Sequence, residues 1–188
     1  QVKSDGFVYN TTLNEDVGGD DVQNFGFAAK LQATDQFDIK LHYEKTKDES
    51  DQGAYVNQNV GTDNTCVFFN SCVTNTTDNE NQNSSNTRNF SDNEYDTTIL
   101  TANYDFGNMV LTYIGAQRDM DEQNMQSFDA SPADFLDMNY FNEWDQESHE
   151  LRLTTNFDGP LNFVAGLYSF EVDYTQYWDV YHLHWTYN

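Results

Sequence analysis

The sequence predicts an all-β protein made of antiparallel up-and-down hairpins, of the kind that form part of a transmembrane β-barrel. Three observations point there. Period-two hydropathy recurs in segment after segment, and helical periodicity is absent. Tight turns alternate with long connections. Aromatic residues make up 15% of a chain whose hydrophobic content is only 37%. A β-rich extracellular fibre subunit and a soluble β-sandwich remain as alternatives, because any antiparallel sheet with one wet face shows the same alternation.

The clearest hairpin comes first. Phe25, Phe27, Ala29 and Leu31 alternate with Asn24, Gly26, Ala28 and Lys30. A turn around Asp35 follows. Phe37, Ile39, Leu41 and Tyr43 then alternate with Asp38, Lys40, His42 and Glu44. Residues 95–105 and 109–118 make a second hairpin around Gly107. Residues 149–157 and 161–170 make a third around Asp158, Gly159 and Pro160. Residues 7–13 give a weaker strand pattern. Residues 171–185 either extend the last strand or form another. Between the hairpins lie two long polar stretches, 47–94 and 119–147, both expected as loops. Short turns on one side and long loops on the other is the outer-membrane barrel pattern, and spans of about 9–11 residues suit such strands. The whole of 1–188 is expected to be one such segment.

The polar face carries the scarce cations. Lys40, Glu44, Glu150 and Arg152 are the residues expected to face a wet lumen, where carboxylates and cations pair. Tyr43, Tyr104, Tyr113 and Tyr168 fall toward strand ends, as in an interfacial aromatic girdle.

Charge narrows the partners. The chain has 32 acidic and 8 basic residues, for a net charge of −24. Nucleic-acid binding relies on Lys and Arg to release counterions, so no nucleic-acid partner is expected. No run approaches the roughly 20 apolar residues of a membrane helix, and the N-terminus lacks the apolar stretch of a signal peptide. Cys66 and Cys72, in TCVFFNSC, do not have zinc-site spacing. A short-loop disulfide in an oxidising compartment fits them better, with two free thiols as the alternative.

The three hairpins carry a family resemblance. ESHELRLTTNFDGPLNFVAGLYSF resembles a recurring barrel hairpin of TonB-dependent outer-membrane receptors. It has an E-L-R-L strand at Glu150–Leu153, a D-G-P turn at Asp158–Pro160, and a strand through Phe163, Ala165, Gly166, Leu167, Tyr168 and Phe170. ATDQFDIKLHYEK and YDFGNMVLTYIGA are similar to neighbouring hairpins of those barrels. The resemblance covers about residues 20–175. It implies a bacterial outer-membrane location and contact with lipid. It also implies an inner-membrane energy-coupling partner and a bulky nutrient ligand such as a ferric siderophore, cobalamin, haem or a glycan. The family's barrel has 22 strands around a plug, so seven or eight strands would be a fragment of it. On the fibre alternative, strand edges would pair between chains in the extracellular space.

No nucleophile-elbow, phosphate-loop, zincin or dinucleotide motif is present, so no enzymatic activity is expected. His182 and His184 share a strand face but lack a third metal ligand. Asp119, Asp121 and Glu122 form a candidate calcium cluster, since hard oxygen ligands on a flexible loop suit Ca²⁺; a solvated acidic loop is the alternative. Phe135, Tyr140, Phe141 and Trp144 are the candidate ligand contacts, because such rings stack on a siderophore or sugar. The alternative is that they pack the loop onto the barrel rim.

Overall fold

The computed structural model describes residues 1–56, 79–132 and 136–181. Among the described residues there is no helix. Ten strands run in order: β1 (Val2–Lys3), β2 (Val8–Asn10), β3 (Glu15–Val17), β4 (Asp21–Gln32), β5 (Phe37–Asp48), β6 (Gln82–Asn83), β7 (Phe90–Asp105), β8 (Met109–Ser127), β9 (Asp137–Thr155) and β10 (Val164–Tyr181). Seven of them form one sheet in the order β1-β4-β5-β7-β8-β9-β10, and β3-β2-β6 form a small second sheet. From β4 onward every neighbouring pair in the large sheet is antiparallel. This is the up-and-down meander the alternation predicts.

The tight turns share one end. Phe106 N donates to Met109 O at 2.8 Å, and Gly107 N donates to Asp105 Oδ1 at 2.6 Å. Gly107 has φ +95°, a region where a side chain is strained and glycine is not. Asn162 closes the β9–β10 turn by accepting from Phe157 N at 2.6 Å and donating to Phe157 O at 3.2 Å. Ala33 N donates to Phe37 O at 2.9 Å in the β4–β5 turn.

At the other end the strands run on further than the hydropathy suggests. β8 continues to Ser127 and β9 starts at Asp137, so residues 119–127 and 137–147, expected as loop, are strand. The true connection is residues 128–136. Likewise β7 begins at Phe90, and β6 pairs in parallel with β2 inside the expected 47–94 loop. The cause is physical: these extensions have no apolar face, so period two leaves no trace in hydropathy although the backbone ladder continues. Residues 171–181 extend the last strand.

Small apolar and large polar groups bury together at this end. Val8, Val17 and Ala130 are the buried hydrophobic side chains among the described residues. Asn10 is fully buried. Its Nδ2 donates to Ser85 O at 2.9 Å, and its Oδ1 accepts from Thr12 N at 2.9 Å and Leu13 N at 3.0 Å. Arg88 Nε reaches Asp51 Oδ1 at 2.9 Å, and its Nη1 reaches Glu15 at 3.3 Å. These contacts hold the β2–β3–β6 cap to the strand tips.

The large sheet, by contrast, has no apolar core. Leu31 is 61% exposed and Leu167 76%, and Phe25 and Leu151 are exposed too. A soluble sandwich would bury these side chains against a second sheet; among the described residues no second sheet covers them, which favours the barrel segment over the sandwich.

Candidate ligand-facing site

Directly opposed residues in an antiparallel sheet share a face, and successive residues alternate. The register therefore sorts every side chain of the sheet. One face carries Phe25, Phe27, Ala29 and Leu31 on β4, Ile39, Leu41 and Tyr43 on β5, and Leu100 on β7. It continues through Tyr113 on β8, Leu151 on β9 and Leu167 on β10. The apolar residues on this face form a band that runs obliquely to the strands. Phe25, Lys45, Asp96, Asp119, Asp145 and Asp173 form one register row. Only Phe25 in that row is apolar. The limit of the band steps down through Tyr43 and Leu100 to Tyr113, Leu151 and Leu167, three rows lower. Three rows are about 20 Å of strand, and β4 to β10 is about 24 Å of sheet. The limit of the band is thus inclined by about 40° to the perpendicular of the strands. Strands of transmembrane barrels tilt by about 35–45° to the membrane normal.

Above the band the same face turns acidic. Asp96, Asp119, Asp145 and Asp173 lie side by side, with Glu94, Asp121 and Glu143 in the next row. Lys45 lies against Glu94 and Asp96 at one end of these rows. Asp145 is held above the usual carboxylate value, first by lost hydration and then by its hydrogen bond with Asp119 and the charges of Asp119, Asp121 and Asp173.

The opposite face is mostly polar, with Ile99, Ile114, Phe170 and Val172 among its apolar members. Lys40, Glu44, Glu150 and Arg152 all lie on it. Arg152 Nε is 3.4 Å from Glu150 Oε1, and Glu44 accepts from Asn24 Nδ2 at 2.9 Å. Lys40 stands opposite Lys30. Of the expected aromatic girdle, Tyr43, Tyr104 and Tyr113 lie on the apolar face. Tyr168, the register partner of Glu150, lies on the polar one, a correction that follows from its even place in the β10 alternation.

Toward the long-loop end, the polar face gathers aromatic rings and amides. Tyr95, Trp144 and Tyr174 share one row, Asn93, Glu122, Asn142 and Gln176 the next, and Ser91, Asn124, Tyr140 and Trp178 the third. Tyr95 Oη donates to Glu122 Oε1 at 2.6 Å, and Asn142 Nδ2 donates to Glu122 Oε2 at 2.7 Å. Asn142 Oδ1 accepts from Tyr174 Oη at 3.0 Å and from Gln176 Nε2 at 2.8 Å. Burial, then the Glu122 carboxylate, pushes the Tyr95 phenol well above its ordinary value, so it stays a donor. Trp144 meets Tyr174 edge-on at 5.4 Å, and Tyr140 lies 6.4 Å from Trp178. Gln52, from the long connection, crosses this face to donate to Asn124 at 2.6 Å and Ser91 at 2.7 Å. The arrangement offers exposed ring faces beside a pre-ordered set of hydrogen-bonding groups, the usual make-up of a small-molecule contact surface.

The sequence-derived candidates divide between the faces. Tyr140 and Trp144 belong to this cluster. Phe141 is on the opposite face, stacked on Tyr177 at 4.5 Å. Phe135, the cysteines Cys66 and Cys72, and His182 and His184 lie outside the described residues. The calcium cluster is also split: Asp119 and Asp121 are on the acidic face, whereas Glu122 points to the polar face and is engaged by Tyr95 and Asn142. A strand cannot bring three such residues together, because neighbours point apart. Among the described residues no three His, Cys, Asp or Glu side chains are grouped to hold a metal. Tyr174, Gln176 and Trp178 were not among the candidates. Their spacing of two in EVDYTQYWDVY is the signal that identifies them.

No family model matches the chain, and no curated protein sequence matches it. Among solved structures its fold is similar to that of the ferric yersiniabactin uptake receptor FyuA from Yersinia pestis, with a TM-score of 0.72. The identity is 18%, and the match covers 96% of this chain and 26% of that one. At that identity the likeness is one of fold: an antiparallel all-β sheet similar to a segment of a β-barrel receptor. The chain spans about a quarter of that receptor's length.

Proposed function

We propose that the chain is a segment of a TonB-dependent outer-membrane receptor barrel, serving energy-coupled uptake of a bulky nutrient such as a ferric siderophore, cobalamin or a glycan. The role is binding and transport, not catalysis. The observation that carries this reading is the oblique apolar band: a stripe inclined by about 40° to the perpendicular of the strands becomes level with a membrane when the strands tilt by that angle, as barrel strands do. The hydrocarbon would meet Leu41, Leu100, Leu151 and Leu167. The polar face with Lys40, Glu44, Glu150 and Arg152 would line the lumen, and Trp144, Tyr174 and Trp178 would meet the ligand near the outer mouth. The partner implied by the resemblance is an inner-membrane energy-coupling protein.

Fractionation of cells expressing the full gene tests it. The protein should sediment with outer membranes and resist carbonate extraction; recovery in the soluble fraction would overturn the reading.

A second reading rests on the sheet's edges. β10 ends the sheet order, and β4 pairs with β1 only at Asp21 and Val22, so both edges are open among the described residues. Open edges suit an extracellular fibre subunit. Electron microscopy of the purified chain would then show filaments with strands across the fibre axis, and dispersed particles would exclude it.

A further inference from the structure

The long-loop end of the sheet buries oxygen atoms that have no hydrogen-bond partner among the described residues. Ser127 ends β8, Asp137 begins β9, and the two stand directly opposite each other. Ser127 is 1% exposed and Asp137 4%. Asp137 Oδ2 accepts from Thr87 Oγ1. Its Oδ1 has no hydrogen-bond partner, and neither do Ser127 Oγ and Asn139 Oδ1. Asn139 is two residues along β9 from Asp137, so the two side chains leave the same face. Asp179 of β10 is the register partner of Asn139 and brings a second carboxylate to that face.

A buried carboxylate oxygen without a partner is costly, and native folds rarely leave one so. Here it belongs to a patch of oxygens from three neighbouring side chains. Asp137 Oδ1 and Asn139 Oδ1 can only accept, and the Ser127 hydroxyl, which could donate, bonds to neither; a group that all three can approach would satisfy them together. Cross-strand partners and i, i+2 neighbours place their Cβ atoms about 5–7 Å apart, near enough for short side chains to meet one ion at about 2.4 Å. The donor set is oxygen only, with no sulfur or imidazole, which suits Ca²⁺ over zinc or copper. The strongly acidic chain also raises the local cation concentration.

We propose that Asp137, Asn139 and Ser127, with Asp179 beside them, form a calcium site at the tip of β8 and β9. The site would do structural work. The segment carrying Thr87 docks on the same tip: Ser127 N donates to Asn89 Oδ1 at 2.7 Å, and Asn86 N donates to Ser131 O at 3.0 Å. A cation bound to Asp137 fastens the β5–β7 connection to the β8–β9 connection. The inference holds whether or not the sheet belongs to a transport barrel.

Calorimetric titration of Ca²⁺ into the full chain, stripped with chelator, tests it. One saturable binding event is expected, with a Kd of about 0.1–1 mM, as in extracellular calcium modules with few charged ligands. Mg²⁺ should bind at least tenfold more weakly, because it holds its own waters and demands octahedral geometry. Asp137→Asn and Asn139→Ala should each weaken Ca²⁺ binding tenfold or more. Asn139→Ala, which alters no buried charge, keeps the test valid should Asp137→Asn fold poorly. The double variant Asp119→Asn, Asp121→Asn should bind as the parent does. No saturable heat up to about 10 mM Ca²⁺, ten times the weakest Kd of that class, means the oxygens are satisfied by water alone and overturns the proposal. So does wild-type affinity in Asn139→Ala and Asp137→Asn.

Discussion

Tyr113 Oη lies 2.8 Å from His149 Nδ1, and the two rings stack at 6.0 Å with 21° between their planes. The contact depends on a glycine. Gly115 is the register partner of His149, and a Cβ there would come within 2.7 Å of Tyr113 Oη and 3.2 Å of its Cζ. The tyrosine folds over the bare backbone to reach the histidine, at the row where the apolar band ends on β8. His149 Nε2 is in turn 2.8 Å from Glu147 Oε1. Gly115→Val should displace Tyr113 and destabilise the fold by about 1–3 kcal/mol, as overpacking does. Tyr113→Phe removes only a hydrogen bond and should cost about 0.5–1.5 kcal/mol. Equilibrium unfolding in detergent compares the two; equal costs would mean that Tyr113 is free to move aside.

How far the sequence reveals the fold depends on which end of the sheet is read. Around Phe27, Leu41 and Leu151 one face is apolar and the other polar, and hydropathy alone locates both strand and face. Beyond the band both faces are polar. Asp119 and Glu122 then look like neighbours in a loop, although the ladder sends them to opposite faces. The same blindness places Phe141 with Trp144 in one aromatic group when they are three residues apart on a strand, and so on opposite sides. The network of Tyr95, Glu122, Asn142 and Tyr174 joins β7, β8, β9 and β10. No local pattern contains it, because it exists only once the register is fixed.

The acidic row predicts a pH dependence. Asp145 lies between Asp119 and Asp173 in the row, and its carboxyl is held above the ordinary aspartate value of 3.8. In the window just above 3.8 the folded state holds a proton that the unfolded chain has released. Stability contributed by Asp145 is therefore greatest at low pH and is lost as pH rises through the folded-state value. Asp145→Asn should raise stability at neutral pH and reduce the gain in stability on acidification. Urea unfolding at several pH values between neutral and 4 measures both; an unchanged profile would show that solvent screens the row.

The oblique band predicts that adjacent residues on β5 respond oppositely to the same substitution. Leu41 is in the middle of the band on its strand, and His42 is on the polar face. On the proposed barrel reading, Leu41→Arg places a charge toward lipid and should cost about 2–4 kcal/mol, the range for Arg near the bilayer midplane. His42→Arg joins Lys40 and Glu44 on the wet face and should cost under about 0.5 kcal/mol, as for an ordinary surface change. Folding yield into lipid vesicles, read from protease-protected protein, gives the comparison. Equal tolerance at both sites would show that the band does not face hydrocarbon.

The two faces make a matching prediction for ligand binding. Trp144 and Tyr174 meet edge-on beside Asn142, with Tyr174 half exposed. Phe141 stacks on Tyr177 on the other side of the sheet. If the chain is the receptor segment proposed above, Trp144→Ala and Tyr174→Ala should each weaken nutrient binding by the whole protein at least about tenfold, the effect expected of an aromatic contact contributing more than about 1.4 kcal/mol. Glu122→Gln should act more mildly, since the amide can still accept from Tyr95 Oη, although its NH₂ group now faces the Asn142 Nδ2 donor. Phe141→Ala should leave affinity within about twofold, since its ring is on the face of the sheet opposite Trp144. Binding of labelled ferric siderophore, cobalamin or glycan to cells carrying each variant, corrected for receptor abundance, separates these outcomes. A loss at Phe141 equal to that at Trp144 would mean that the ligand approaches from the acidic face, and the assignment of lumen and exterior would have to be reversed.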